Sequence, residues 1–194
     1  MLEAIIATGI IVTAVSSALT LVSSSINAEK SSEFLLGAGN LAREGIEAIR
    51  MIRDSNWLAG AQWDLGIAGQ AGNDYTGMPV FNPSTNQWLV NWVPNAVSTV
   101  SPRVCRHSTG AYLGLQINTT AASCLVGTMD TGYRRMVTVD PLCDDGAGGY
   151  TIVTSGMDCG SHEKIGIRVT STVLWQMADN VKRISMEERL FNWR

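Results

Sequence analysis

Residues 4–28 read AIIATGIIVTAVSSALTLVSSSINA, a run without a single charge, entered behind Glu3 and left at Glu29-Lys30. As a helix this stretch is about 38 Å long, more than the roughly 30 Å of a bilayer's hydrocarbon core. Ile, Leu and Val fill its front, Ala4 to Val22, while Ser23-Ser24-Ser25 makes its rear more polar. A cleaved secretory signal would need a basic start, a shorter apolar core and a small-residue cleavage site. Here Glu3 makes the start acidic and the helical pattern runs on unbroken. The segment therefore reads as a retained transmembrane helix.

Behind it the pattern changes without stopping. Phe34, Ala38, Leu41, Gly45, Ala48, Ile49 and Ile52 recur at the spacing of one helical face, with Glu33, Arg43, Glu44, Glu47 and Arg50 on the others. The first proline is Pro79. One helix from about residue 2 to about residue 54, roughly 80 Å long, is expected. Gly9, Gly37, Gly39 and Gly45 are its weak points, at about 1 kcal/mol each relative to Ala. The chain thus divides into a hydrophobic transmembrane or filament-core helix over 1–28, an amphipathic continuation over 29–55, and a β-rich head over 56–194.

Composition agrees with this division. Of 194 residues only 16% are charged, against roughly 25% in a typical soluble domain, and 45% are hydrophobic, which excludes a disordered chain. Lys and Arg total 14 against 17 Asp and Glu, a net charge of -3 that argues against nucleic-acid binding by bulk charge.

In the head, residues 59–79 contain Gly60, Gly66, Gly69, Gly72 and Gly77 and read as loops and turns. Short strands are expected at 86–93 (NQWLVNWV), 112–117 (YLGLQI) and 133–139 (YRRMVTV), the last stopped by Asp140-Pro141, with a lesser one at 150–154. Ile165, Ile167, Val169, Ser171, Val173 and Trp175 alternate with Gly166, Arg168, Thr170, Thr172 and Leu174. After the polar turn 177–180, residues 181–190 alternate again, with Ile184, Met186 and Leu190 on one face. The pair predicts an antiparallel hairpin. A long helix followed by such strands is an α+β plan, the rear of the helix lying on one face of a C-terminal antiparallel sheet. For Trp57, Trp63, Trp88, Trp92, Trp175 and Trp193, core and subunit-interface packing is favoured over an aromatic-lined carbohydrate groove, because Trp buries a large area in either setting.

Cys105, Cys124, Cys143 and Cys159 form no CxxC, and His107 and His162 are not at zinc-ligand spacings. A domain that follows a membrane segment can lie outside the cytoplasm, where disulfides persist. Three pairings are possible. Cys105–Cys124 and Cys143–Cys159 are favoured because each brackets a short, loop-rich stretch, and each closure is worth about 3 kcal/mol in the chain-entropy model.

No cofactor is expected. Asp140, Asp144 and Asp145 precede Gly146-Ala147-Gly148-Gly149 and make a calcium candidate, with Asp158 nearby in sequence, but the spacing is not that of an EF-hand and a solvated turn is the favoured reading. Asn118-Thr119-Thr120 fits the N-glycosylation pattern and Ser98-Thr99 could carry O-linked sugar; neither is adopted. The sequence has no GxSxG, Walker loop or HExxH, and no set of nucleophile, base and oxyanion donor, so no enzyme is expected.

The start, MLEAIIATGIIV, resembles the amino terminus of type IV pilins and type II secretion pseudopilins, whose mature chains begin with a methylated hydrophobic residue, then a glutamate, then an apolar helix. The ending IRVTSTVLW…RISMEERLFNWR resembles the terminal hairpin of minor-pilin-like proteins. There are two departures: no basic leader ending in Gly precedes Met1, and Glu3 lies nearer the start than the family's usual spacing. The expectation that follows is a mature chain whose first residues precede Met1. The resemblance implies that Glu3 bonds the terminal amine of a neighbouring subunit during assembly. It also implies that part of the buried helix loses helicity in the filament, Val12 to Thr20 being the candidate stretch. Gly9, Thr13, Ser16, Ser17 and Thr20, with Ala7, Ala14 and Ala18, would let rods approach closely and hydrogen-bond laterally.

The partners so implied are copies of the same chain in a helical filament, the bacterial inner membrane before assembly, and the pilus assembly machinery. The location is then the cell surface, as an extracellular fimbrium serving adhesion, motility or secretion. The alternatives are a minor pilin or type II secretion pseudopilin and, in another class, a monomeric membrane-tethered carbohydrate- or protein-binding protein.

Overall fold

The computed structural model describes residues 1–67, 76–82, 84–92, 103–108, 116–119, 124, 127–154, 158–177 and 179–192. Among them one helix, α1 (Leu2–Leu58), precedes eight strands. These are β1 (Thr76–Asn82), β2 (Gln87–Trp92), β3 (Arg103–His107), β4 (Gln116–Thr119), β5 (Thr128–Asp144), β6 (Tyr150–Ile152), β7 (Lys164–Met177) and β8 (Asn180–Phe191). All their pairings are antiparallel, so the protein is α+β with its helix on a C-terminal sheet. The chain forms two compact units, Met1–Gly37 and Ala38–Arg194.

Where α1 stops follows from a glycine. Gly60 adopts φ 68°, the left-handed region that side chains with a Cβ avoid. Its N–H donates to Trp57 O at 3.1 Å and the N–H of Ala61 donates to Asn56 O at 2.9 Å. That pair of bonds is the Schellman closure, which satisfies carbonyls the last turn would otherwise leave unpaired. The helix thus runs a turn beyond the end read from its apolar pattern.

In the second unit, the buried positions of α1 are Ala38, Leu41, Ala42, Gly45, Ile46, Ala48, Ile49, Arg53 and Trp57, a 3.6-residue stripe laid on the sheet. Ile46, Ile49, Trp57, Trp63 and Ile67 pack on Val137, Val139, Ile167, Val169 and Leu190. Nearer residue 38, Ala38, Leu41 and Ala42 pack on Val104, Val173 and Trp175. Burying an Ile or Leu this fully is worth about 1.5–3 kcal/mol, which is why the stripe fixes the docking of the helix. Gly45 is no weak point here. A Cβ on it would overlap Ser171 Oγ and press on Val137 Cγ2 at 3.4 Å, so the missing side chain lets the helix lie close on the sheet there.

β5 is the spine of the sheet. One of its edges carries β7, from Tyr133↔Trp175 to Cys143↔Lys164, and β8 follows in a hairpin closing at Met177↔Asn180. The other edge carries three short strands in succession: β3 against 128–134, β1 against Val137 and Thr138, and β6 against 142–144. β4 and β2 flank β3 and β1. The register of β3 on β5 shifts between Arg103 and Cys105, opposite Gly132 at φ 78°, and Thr131 Oγ1 donates to Val104 O at 2.7 Å across the bulge.

Three expectations are corrected. β5 does not stop at Asp140-Pro141 but runs to Asp144. Pro141 O accepts from Val153 N at 3.0 Å, so the backbone of Pro141 faces away from β7 and its missing N–H removes no bond of the β5–β7 ladder. Residues 76–79, read as loop, begin β1; Gly77 sits where a Cβ would meet Trp92 Cε3 at 3.0 Å, so the glycine serves packing, not turning. Residues 103–107, where no strand is expected, form β3. The strand expected at 112–117 appears as β4 from Gln116, residues 112–115 lying outside the described ones, and that at 150–154 is β6.

Candidate functional sites: the apolar helix and a cleft in the head

Every residue from 1 to 30 is exposed. Between Met1 and Ile26 the exposed side chains include Leu2 (76%), Ile10 (64%) and Leu19 (63%). Mean hydropathy reaches 2.2 over an 18-residue window, none of it buried, and by length and composition this helix can cross a membrane. An apolar surface continuous over so many large side chains far exceeds the few hundred Å² that monomeric soluble proteins expose, and it calls for lipid or an apolar partner. Glu3 lies in the first turn, where the helix dipole favours an acid.

The hydroxyl groups of residues 8–20 turn inward on their own backbone. Thr8 Oγ1 donates to Ala4 O (3.0 Å), Thr13 Oγ1 to Gly9 O (3.1 Å), Ser16 Oγ to Val12 O (2.8 Å), Ser17 Oγ to Thr13 O (2.8 Å) and Thr20 Oγ1 to Ser16 O (2.9 Å). Their protons are thus spent within the helix, and what remains for a neighbour is small size plus acceptor lone pairs. Gly9 has no atom within 4 Å of its would-be Cβ. Val12 to Thr20 is helical throughout.

The cysteines pair as expected, Cys105–Cys124 and Cys143–Cys159, with Cα separations of 5.8 and 5.4 Å. The second bond ties β5 to the segment that leads into β7.

The acidic residues go elsewhere. Asp140 receives Arg168 Nη2 at 2.6 Å and Nε at 3.0 Å. Asp144 Oδ1 accepts from Gly146 N at 2.9 Å, and Asp145 Oδ1 accepts from Ala147 N at 2.8 Å and Gly149 N at 2.9 Å. Those backbone N–H groups hold the Asp145 carboxyl below its ordinary value. The oxygens proposed for calcium are instead tied into an ion pair and turns, and the described residues contain no group of three acids, histidines or cysteines able to hold a metal. Asp158 bonds the N–H of Cys159 at 2.7 Å, and His162 is exposed. Ser98, Thr99 and Trp193 lie outside the described residues, as do the side chains of Asn118 and Thr119.

Arg135 and Asp64 are among the buried charges that escaped the sequence. Arg135 is 0% exposed beneath α1, its Nη1 at 3.0 Å from Glu44 Oε1 and 3.3 Å from Leu41 O. Asp64 is 6% exposed and takes Lys164 Nζ at 2.7 Å, the ammonium also lying 5.5 Å from the Trp63 ring. Where β3 pairs with the start of β5, Asp130 forms an ion pair with Arg103. Burial pushes its carboxyl up, but the Gly132 N–H and the Arg103 guanidinium outweigh that and hold it below the usual value.

Three tryptophans, Trp57, Trp63 and Trp175, are core. Trp88 and Trp92 are half-buried beside a cleft of about 440 Å³ between the last turns of α1, residues 65–66 and the strand β2. Its walls are tied together. Asn56 Nδ2 donates to Trp63 O (3.1 Å) and Leu65 O (2.8 Å), Trp92 Nε1 donates to Gly66 O (3.3 Å), and Trp88 stands edge-on to Phe81 at 5.5 Å. Among the described residues, no charged one lines it. The sequence marked β2 as a strand and raised Trp88 and Trp92 for a carbohydrate groove that was not the favoured reading; the carboxamides of NQWLVN were a further signal.

Against known proteins, the chain matches no family model, no curated protein and no solved structure.

Proposed function

We propose that this chain is a structural, non-enzymatic subunit of an extracellular type IV pilus-like filament, held in the bacterial inner membrane by its apolar helix and then assembled by packing that helix among its copies. The observation that carries the reading is a helix without a charge from residue 4 to residue 28, every residue from 1 to 30 exposed, continuing into a stripe that grips a disulfide-bonded head. Lipid and a bundle of sister helices are both low-dielectric surroundings, so transfer between them leaves the backbone satisfied and the apolar surface dry. Small residues at Ala7, Gly9, Ala14 and Ala18 permit close approach, while the hydroxyls of Thr8, Thr13, Ser16, Ser17 and Thr20 are already bonded to their own helix. Head-to-tail copies make a heterologous contact, which builds an open helix in place of a closed ring. In this reading Glu3 is neutralised by the terminal amine of a neighbouring copy, because a lone carboxylate in an apolar core costs several kcal/mol.

Shearing cells that express the chain and blotting the released fraction tests the reading. Wild-type chain should appear in the sheared fibres, and the Glu3→Ala chain should stay in the membrane fraction. Equal amounts of surface fibre from both would end it.

A further inference from the structure

We propose that the head cleft between α1 and β2 binds a neutral saccharide. The chemistry of the lining decides the class. Among the described residues that line it, Asn56, Asn86, Gln87 and Asn91 carry carboxamides, Ser55 adds a hydroxyl and Trp88 an indole, and none carries a charge. An anionic ligand would find no cation to meet it, and a cation no carboxylate. A wholly apolar ligand would strip water from these polar groups without replacing their hydrogen bonds. A sugar suits both halves. Its hydroxyls donate and accept as carboxamides do, and its C–H faces suit the apolar stretch between them.

Size and rigidity agree. The cleft's volume, about 440 Å³, lies in the range of small-molecule sites. Its walls are fixed before any ligand arrives: Asn56 fastens residues 63–65 to α1, Trp92 fastens Gly66 to β2, and Phe81 holds the Trp88 ring. A preformed site loses little ordering entropy on binding. Asn56 spends its amide protons on that fastening, which leaves its carbonyl oxygen as an acceptor at the cleft. Asn86 adopts φ 54°, so the turn that enters β2 holds a strained conformation at the rim. The site is independent of whether the chain polymerises.

The test uses the full chain in a non-glycosidic detergent, lauryldimethylamine oxide, since sugar-headed detergents would compete. Saturation-transfer NMR would be recorded with lactose, cellobiose, maltose and chitobiose, and with 3′-sialyllactose as the anionic arm. At least one neutral disaccharide should give transfer, sialyllactose should give less than a tenth of it, and Trp88→Ala should weaken binding at least ten-fold. Asn86→Gly tolerates the positive φ without strain, so it removes the amide while keeping the turn, and it should also weaken binding. Its unchanged amide spectrum elsewhere would show that the fold is intact. No transfer from any neutral sugar, equal transfer from sialyllactose, or binding untouched by both variants would each overturn the proposal.

Discussion

Gly45 of α1 and Ser171 of β7 are packed so closely that a methyl group on the glycine would overlap the serine oxygen. Ser171 is 0% exposed and its hydroxyl has no hydrogen-bond partner among the described residues. The contact therefore stands on shape alone. Gly45→Ala should destabilise the head by about 1–3 kcal/mol through overpacking, although alanine is the better helix former by about 1 kcal/mol. Ser171→Ala should lie within about 1 kcal/mol of wild type, and in the double variant most of the Gly45→Ala penalty should vanish. Urea unfolding of the four chains measures this; a stabilising Gly45→Ala would refute it.

Arg135 gives a second prediction. Fully buried under α1 and paired with a partly exposed Glu44, it is expensive to leave alone. Glu44→Ala should cost about 1–3 kcal/mol, more than a surface pair, and 0.5 M salt should change that little. A loss under about 0.5 kcal/mol, or one erased by salt, would show that Arg135 has adequate partners without Glu44.

The disulfides should matter by similar amounts. Cys143→Ser with Cys159→Ser frees a loop with a sequence separation of 16, and Cys105→Ser with Cys124→Ser frees one of 19. Each double variant should lose about 3 kcal/mol of unfolding free energy. Thermal or denaturant melts of the oxidised and doubly substituted chains decide it, and unchanged midpoints would contradict it.

Acid should loosen the loop after β5. The Asp145 carboxyl is held down by the N–H groups of Ala147 and Gly149, so its folded pKa lies below the ordinary 3.8. Its contribution is therefore complete above 3.8 and lost as pH falls through the lower folded value. The Ala147 and Gly149 amide shifts should titrate together with a midpoint below 3.8; a midpoint above it would overturn the assignment. Asp145→Asn should remove the titration.

How much of this was legible in the sequence varies by element, for physical reasons. The apolar run, the helical stripe and the alternation of β7 with β8 are periodic signals, and they located α1 and the hairpin. The two cysteine pairs were legible because each closes a short loop. Pro141 misled, since its nitrogen faces away from β7 and so breaks no bond of the β5–β7 ladder, and sequence does not say which way it faces. Gly45 and Gly77 misled similarly: both are glycines because a neighbour fills the space of a side chain, a long-range fact. Arg135 and the cleft are tertiary too, brought together by residues far apart in the chain. For the acidic residues near Gly146 a turn was the favoured reading over calcium, and there backbone N–H groups donate to Asp144 and Asp145.

The most direct measurement is cryo-electron microscopy of fibres sheared from cells expressing this chain. The account predicts a helical fibre whose axis is built from residues 1–30 of many copies, with Glu3 beside a neighbour's terminal amine and the heads outside. Fibres without this chain, or a purified chain that stays monomeric in detergent-free buffer with residues 1–30 covered by its own head, would contradict it.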